Sequence, residues 1–291
     1  MSKAGRFVVV GASFLCVLLL WTNAAASAAD EAAELNNRAV VCVKDHNYEE
    51  AVSLLKKAIA LQPALPTAYY NLGRIYQMIE EWDLSIEAFK QALAVKPAFA
   101  NAMHQLAVSY NSTERYAEAV ECLKQVLQLQ PGRPDSLTEL GFAHSKQGHL
   151  QEATEFLKEA IRRQPDFSDA YNNLGVVYFK TGRVSDAIES LQHAVRLKPG
   201  SAVAYYNLGF ALSQAHRQRE AIESYQQAVL LKSDFAEARN NLAILYLQRG
   251  QRPLALEQYH LLQSINSDMA QKLFEIIFQD KILKVPEQSR E

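Results

Sequence analysis

The sequence has few of the residues that characterise disulfide-rich or membrane-embedded folds. Its 291 residues include 3 cysteines, 11 glycines and 9 prolines, and no second long apolar run follows the one near the N terminus. So few cysteines exclude a disulfide framework, and the lack of a second apolar run excludes a polytopic membrane protein. Hydrophobic residues make up 49% of the chain, which argues against intrinsic disorder and against collagen.

Charge of one sign is also scarce. The chain has 30 basic and 32 acidic residues, so its formal net charge is −2. A mild balance of mixed sign gives no electrostatic reason to expect binding to nucleic acid. We therefore expect no nucleic-acid partner.

The first apolar run has the layout of a secretory signal peptide. Lys3 and Arg6 precede an uncharged stretch at residues 7–21, and small residues follow it. The stretch is shorter than the roughly 20 residues that a membrane-spanning helix needs. We expect cleavage of residues 1–29, which leaves no membrane span, and we expect export to the periplasm or extracellular side of a bacterial envelope. The alternative is an uncleaved N-terminal membrane anchor.

Prolines recur at a constant interval along the rest of the chain. An interval of 34 residues separates five prolines, and serines occupy the next two places in the series: Pro63, Pro97, Pro131, Pro165, Pro199, Ser233 and Ser267. A period of this length indicates a stacked repeat architecture. When the proline is counted as the thirty-second residue, seven repeats follow: 32–65, 66–99, 100–133, 134–167, 168–201, 202–235 and 236–269.

Alignment of the repeats shows which positions are small and which are apolar. The eighth residue is always glycine or alanine, and the twentieth is alanine or serine. Leucine at the seventh position and tyrosine at the eleventh place apolar residues on one face of a first helix. The second-helix residues expected to pack against the small positions are Phe89, Leu157, Leu191 and Tyr225. The glycines expected to form a left-handed cap after the first helix are Gly148, Gly182 and Gly250.

These positions give the chain a resemblance to tetratricopeptide repeats. Residues 170–178, AYNNLGVVY, with Ala187, Ala194 and Pro199, resemble one repeat, and the similarity covers residues 32–269. The resemblance implies an all-α, right-handed superhelical solenoid of seven antiparallel helix pairs, with the first helices lining a concave groove. Because no single hairpin buries its apolar faces, the ends need covering. We expect a capping helix at residues 270–284 and a tail at 285–291.

The sequence shows no pattern of catalytic or metal-binding residues. Its seven histidines form no His-Glu-x-x-His pair and no cysteine–histidine metal spacing. His144 and His149 are close in sequence, but one lies at the tyrosine position and the other in a turn, so we expect them to point in different directions. We predict a non-enzymatic protein with no catalytic residue, no metal site and no cofactor.

The sixth position of the repeat supplies a row of carboxamides. It is asparagine in five of the seven repeats: Asn37, Asn71, Asn173, Asn207 and Asn241. A carboxamide both donates and accepts hydrogen bonds, so such a row can bind the main chain of an extended peptide. The resemblance supports this, because some long tetratricopeptide superhelices hold peptides with an asparagine ladder. The alternative is that the asparagines bridge adjacent helices, because buried polar side chains need partners.

The fifth and ninth positions place aromatic and basic side chains beside this row: Tyr70, Arg74, Phe142, Tyr206 and Phe210. They can form pockets for the side chains of a bound peptide, or they can pack between neighbouring repeats. Family members that clamp a C-terminal carboxylate use lysine at the fifth position with asparagine at the ninth. No repeat of this chain has that pair.

Two hypotheses for function follow from these patterns. The first is a scaffold or adaptor that binds an extended peptide segment of an unidentified protein partner in the concave groove. The second is an assembly component that self-associates, or joins an envelope complex, through its convex face or its C-terminal helix. The apolar stretch at residues 273–278 motivates the second hypothesis.

Overall fold

The computed structural model describes residues 26–282, with side chains to residue 278, and regular structure in this range is all α-helical. The predicted all-α fold of helix pairs is confirmed. Most of the predicted signal peptide and the whole predicted tail at 285–291 lie outside the described residues. None of the helices in the described range is long and apolar enough to cross a membrane.

The chain divides into two compact bodies, Met1–Pro131 and Gly132–Glu291. The described part of the N-terminal body contains α1 (26–44), α2 (Tyr48–Leu61), α3 (Pro66–Met78), α4 (Trp82–Val95), α5 (Ala100–Ser112) and α6 (Tyr116–Leu129). Residues 26–29, which we assigned to the signal peptide, belong to α1.

The C-terminal body contains the remaining nine described helices. They are α7 (Pro134–Lys146), α8 (Leu150–Arg163), α9 (Ser168–Lys180), α10 (Val184–Leu197), α11 (Ala202–Gln214), α12 (Gln218–Leu231), α13 (Ala236–Gln248), α14 (Arg252–Gln263) and α15 (Ser267–Ile282). Within this body each helix contacts the next one along the chain, and α7, α9 and α11 also contact one another in sequence order. The first helices of repeats four to six therefore lie side by side.

Helices begin and end at the same positions of the repeat. First helices of repeats two to seven occupy positions one to thirteen, and second helices of repeats one to six occupy positions seventeen to thirty. The proline position explains where the second helix of a repeat ends. In α10 the last helical residue is Leu197, the Lys198 N–H donates to the Ala194 carbonyl at 3.0 Å, and Pro199 has no N–H to continue the helix.

A left-handed residue separates the two helices of every repeat. The three predicted glycines adopt it, with φ of 84° for Gly148, 76° for Gly182 and 73° for Gly250. The same position in the other four repeats is held by His46, Glu80, Glu114 and His216, at φ of 58° to 60°. The following N–H closes the cap, as in the 2.9 Å bond from Arg183 N to the Tyr178 carbonyl. The repeat geometry thus imposes this conformation even where glycine is absent.

The small eighth residue marks the place where the two helices of a repeat touch. A Cβ on Gly175 would lie 2.5 Å from Leu191 Cγ and 3.1 Å from the Ala187 carbonyl oxygen. The equivalent glycines face the second-helix residues equally closely, at 2.6 to 2.9 Å: Gly73 faces Phe89, Gly141 faces Leu157, and Gly209 faces Tyr225. The predicted packing of these four large residues against the small positions is confirmed.

Helix α15 covers the last repeat. It begins at Ser267, earlier than the predicted start at residue 270, because the Asn266 Oδ1 accepts a hydrogen bond from the Met269 N–H at 3.0 Å and caps the first turn. Its Leu273 and Ile277 are buried in the core of the C-terminal body. The Arg252 guanidinium donates to the Ile277 carbonyl at 2.7 Å. The helix therefore performs the capping role expected from the sequence.

Replacement of Gly175 by alanine should destabilise the fold. The added methyl group overlaps Leu191 and the Ala187 carbonyl, and overpacking of this kind costs about 1–3 kcal/mol. Urea unfolding followed by circular dichroism measures the loss. Gly200→Ala is the control, because a Cβ there meets nothing within 4 Å, and it should change the free energy of unfolding by less than about 1 kcal/mol. Equal effects of the two variants would contradict the assigned contact.

Candidate functional site

A pocket of about 240 Å³ lies between the first helices of repeats four to six, all in the C-terminal body. Helices α7, α9 and α11 supply its lining: Phe142, Ser145, Lys146, Asn172, Asn173, Val176, Lys180, Val203 and Asn207. Three predicted site residues, Phe142, Asn173 and Asn207, are therefore brought together. The volume suits one or two side chains of a peptide and is smaller than the roughly 300–1,000 Å³ of ordinary small-molecule sites.

Carboxamides in this pocket form a chain of hydrogen bonds across two repeats. Asn207 Nδ2 donates to Asn172 Oδ1 at 2.9 Å, and Asn172 Nδ2 donates to Asn173 Oδ1 at 3.3 Å. The same link recurs in the N-terminal body, where Asn71 Nδ2 donates to Asn36 Oδ1 at 2.9 Å. Asn71 and Asn207, both at the sixth position, thus bridge to asparagines at the fifth position of the preceding repeat. This is the structural role that we named as the alternative.

The bridging leaves part of each carboxamide's capacity unused. Within the described residues, Asn207 Oδ1 accepts no hydrogen bond and Asn173 Nδ2 donates none. Both side chains are half-buried and line the pocket. The chain of hydrogen bonds through Asn207, Asn172 and Asn173 is called the asparagine relay here. It holds an acceptor and a donor in place, and both stay available to a peptide main chain.

Two lysines that the sequence reasoning missed line the same pocket. Lys180 Nζ donates to the Ser145 carbonyl at 3.0 Å and lies 3.1 Å from Ser145 Oγ, while Lys146 Nζ lies 5.3 Å from the centre of the Phe142 ring. Burial, and secondly the charge of Lys146, lower the pKa of Lys180. Both lysines line one pocket and carry the same charge, and both side chains are exposed to water. Both lysines occupy the thirteenth position of their repeats, so an analysis of that position in the aligned repeats would have identified them.

A smaller pocket, of about 170 Å³, lies in the N-terminal body between α1, α2 and α3. It brings together three predicted site residues, Tyr70, Asn71 and Arg74, with apolar side chains that include Val40 and Met78. Arg74 Nη1 donates to the Tyr70 hydroxyl at 3.4 Å. The Tyr70 ring also packs on Phe99, with ring centres 5.2 Å apart, so it joins the first helix of repeat two to the end of that repeat.

The remaining predicted residues lie outside these two pockets. Tyr206 packs against Phe235, with ring centres 5.0 Å apart, and burial raises the pKa of its hydroxyl. Asn241 Nδ2 donates to the Tyr225 hydroxyl at 3.3 Å, and Phe210 meets the edge of Phe179 at 5.1 Å. Asn37 is exposed on α1. Phe210 therefore packs between neighbouring repeats, which we named as the alternative, whereas Tyr206 packs within repeat six.

Histidines and cysteines form no further cluster in the part of the chain that the structure describes. The expectation that His144 and His149 point apart is wrong: their ring centres are 5.6 Å apart, because the turn after α7 folds back and the His149 N–H donates to the His144 carbonyl. No third possible metal ligand joins them among the described residues. Burial raises the pKa of the Cys122 thiol to about 11, so it is protonated at neutral pH and weakly nucleophilic.

Helix pairs of 34 residues with pockets between their first helices define a tetratricopeptide repeat protein. The chain belongs to the family described as the cilia and flagella-associated protein 70 C-terminal domain, whose profile matches residues 18–244. None of the curated proteins matches the chain in sequence.

Solved structures of tetratricopeptide proteins share the fold. A chain of the APC/C hetero-tetramer Cut9-Hcn1 is similar, with a TM-score of 0.69 and 21% identity over 79% of this chain and 48% of that one. This chain thus spans about half the length of that relative. A tetratricopeptide protein from Parabacteroides merdae has a TM-score of 0.68 and 14% identity over 86% and 99% of the two chains. A thermophilic protein from Thermus thermophilus has a TM-score of 0.57 and 22% identity over 63% and 100%. At these identities the similarity shows the fold alone.

The hydrogen bond between Asn207 and Asn172 should be measurable as a coupling energy. In a double-mutant cycle with Asn172→Ala and Asn207→Ala, we expect the two losses of stability to be non-additive by about 0.5–1.5 kcal/mol. Chemical denaturation of the four proteins gives the coupling. A cycle that pairs Asn207→Ala with Gln151→Ala, on the exposed face of α8, should be additive. Additivity in both cycles would show that the asparagines do not stabilise each other.

Proposed function

We propose that this protein is a non-enzymatic scaffold that binds an extended segment of a partner protein along the first helices of its repeats. One observation carries the proposal: the carboxamide relay of Asn207, Asn172 and Asn173, whose two ends line the pocket of the C-terminal body. The relay fixes the side chains, so little conformational entropy is lost when a peptide binds them. The membership of a repeat family whose stacked hairpins present long binding surfaces supports the same class of function.

The relay matches the main chain of an extended peptide. Such a peptide offers an N–H and a C=O at each residue, and the pocket offers the Asn207 carbonyl oxygen as acceptor and the Asn173 amide as donor. Main-chain hydrogen bonds are independent of the side chains of the ligand. We therefore expect the asparagines to supply affinity and the neighbouring side chains, such as Phe142 and Val176, to supply selectivity.

The alternative of self-association through the C-terminal helix has weaker support. Its motivation was the apolar stretch at residues 273–278, but Leu273 and Ile277 are used in the core, and Phe274 and Phe278 are half-buried against each other at 4.4 Å. Ile276, which is 49% exposed, is the apolar residue of this stretch that α15 presents to solvent. One exposed side chain gives little area for a stable interface, which buries about 800 Å² on each partner.

Removal of the relay's free ends should weaken peptide binding. Peptides selected on the purified chain from a random library serve as ligands, and fluorescence anisotropy gives their affinities. Asn173→Ala/Asn207→Ala should weaken binding about tenfold to thirtyfold, because two hydrogen bonds of about 1 kcal/mol each are lost.

Two exposed carboxamides on second helices provide the matched control. Gln125→Ala/Gln151→Ala removes the same groups from α6 and α8, and we expect unchanged affinity. Circular dichroism establishes that each variant is folded. If a folded Asn173→Ala/Asn207→Ala protein bound the peptides as tightly as the parent chain, the asparagine row would not be the binding surface.

We also propose that the chain acts outside the cytoplasm, on the basis of the layout of residues 1–29. Expression of the full chain in a bacterium with a periplasm should give a shortened protein that begins at Ala29 or Asp30, since the small residues before these positions suit a signal peptidase. Mass spectrometry of the fractionated cells measures the cleavage. A chain that keeps Lys3 and Arg6 and stays with the membrane fraction would support the N-terminal anchor instead.

A further inference from the structure

We infer that the pocket between α7, α9 and α11 is a carboxylate site, in which Lys146 and Lys180 bind a carboxylate of the extended peptide. This inference rests on the proposed function and adds the chemistry of the ligand. It differs from the lysine–asparagine clamp at the fifth and ninth positions, since both lysines here hold the thirteenth position of consecutive repeats.

The charge of the pocket is positive and uncompensated. Of its nine lining residues, two are lysines and none is acidic. Within the described part of the chain, neither lysine forms an ion pair, which is also true of other exposed lysines such as Lys158 and Lys272. Two cations that share one pocket attract an anion, although both side chains are exposed and water screens part of their mutual repulsion.

The protein holds one of these cations in place. Lys180 donates to the backbone carbonyl and the hydroxyl of Ser145, on the neighbouring first helix. These bonds hold its ammonium group beside the first helix of repeat four, at the pocket that Lys180 lines, while the side chain remains exposed to water. The pKa of Lys180 is lowered by burial and by Lys146, but the ammonium form makes both bonds and remains a donor to a carboxylate.

The other walls of the pocket suit a peptide that carries this carboxylate. Phe142, Val176 and Val203 offer apolar surface, and Val203 is 53% exposed at the rim. The asparagine relay lines the same pocket and offers hydrogen bonds to the main chain of the peptide. A segment with an acidic group beside an aliphatic side chain therefore fits all three kinds of surface: cationic, apolar and carboxamide.

The carboxylate has two possible sources, an acidic side chain or the C terminus of the partner chain. A random peptide library displayed in two formats separates them. In one format a fixed linker flanks the random segment on both sides, and in the other the segment ends in a free α-carboxylate. Selection on the full purified chain should enrich aspartate and glutamate in the first format, or free-ended peptides in the second, by about threefold or more, which is the size of one partly screened ion pair.

The lysine variants test whether this preference arises in the pocket. Lys146→Gln/Lys180→Gln should abolish the enrichment and weaken a selected acidic peptide about threefold to tenfold, while the glutamine version of the same peptide loses almost nothing. Lys158→Gln/Lys272→Gln removes the same charge from exposed positions on α8 and α15 and should retain the preference. Added salt should weaken the binding of the acidic peptide to the parent chain. It should have little effect on the binding of that peptide to Lys146→Gln/Lys180→Gln.

The outcomes distinguish this inference from the proposed function. Selected peptides that carry no excess of carboxylate, or an excess that persists in Lys146→Gln/Lys180→Gln, would overturn the carboxylate site and leave peptide binding intact. Failure to select any peptide above background would overturn both. Circular dichroism and the unfolding midpoint of each variant show whether a loss of binding comes from the lost lysine or from a lost fold. The single variant Lys146→Gln serves as a second check, because it leaves the Lys180 hydrogen bonds to Ser145 in place.

Discussion

The contact between the two helices of a hairpin, at the eighth position of the repeat, is the constraint on which the other features depend. At Gly175 there is no room for a side chain, because Leu191 and the Ala187 carbonyl already occupy the space. This close approach fixes the pairing of the helices, and the left-handed residue and the proline position fix where each helix begins and ends. Because the helix bounds then repeat at constant spacing, a given position returns to the same face in each repeat.

The asparagine row shows how one side chain can bridge two repeats and still keep hydrogen-bonding groups for the proposed ligand. Between repeats, the carboxamides of Asn207 and Asn172 bond to each other, which satisfies polar groups that are half-buried between first helices. A carboxamide has more hydrogen-bonding capacity than one such bond uses, so its other end can face a ligand. The structural and functional explanations that compete in the sequence are therefore compatible in the structure. An apolar residue at the same position would pack but would offer no group to a peptide.

Lys146 and Lys180, by contrast, make an unfavourable electrostatic interaction within the folded protein. Partial burial, and secondly the charge of Lys146, lower the pKa of Lys180, while both lysine side chains remain exposed to water. Such a local conflict in a chain whose other features are mutually consistent is the kind of feature that marks a functional site. The two lysines line the same pocket as the asparagine relay, so both features direct attention to one surface of the C-terminal body.

The fold could be predicted from the sequence, because the proline interval, the small eighth residue and the leucine and tyrosine positions are local or periodic properties of the chain. They indicated the number of repeats, the helix pairs and the capping helix. The sixth and ninth positions of the aligned repeats identified Asn173, Asn207 and Phe142, which meet in one pocket. Which neighbours these side chains meet depends on tertiary packing and could not be predicted. The bond from Asn207 to Asn172, the packing of Tyr206 on Phe235 and the approach of His149 to His144 depend on the stagger between helices and the path of a turn. The meeting of Lys146 with Lys180 depends on the same stagger, because residues one repeat apart in sequence become neighbours only when first helices lie side by side.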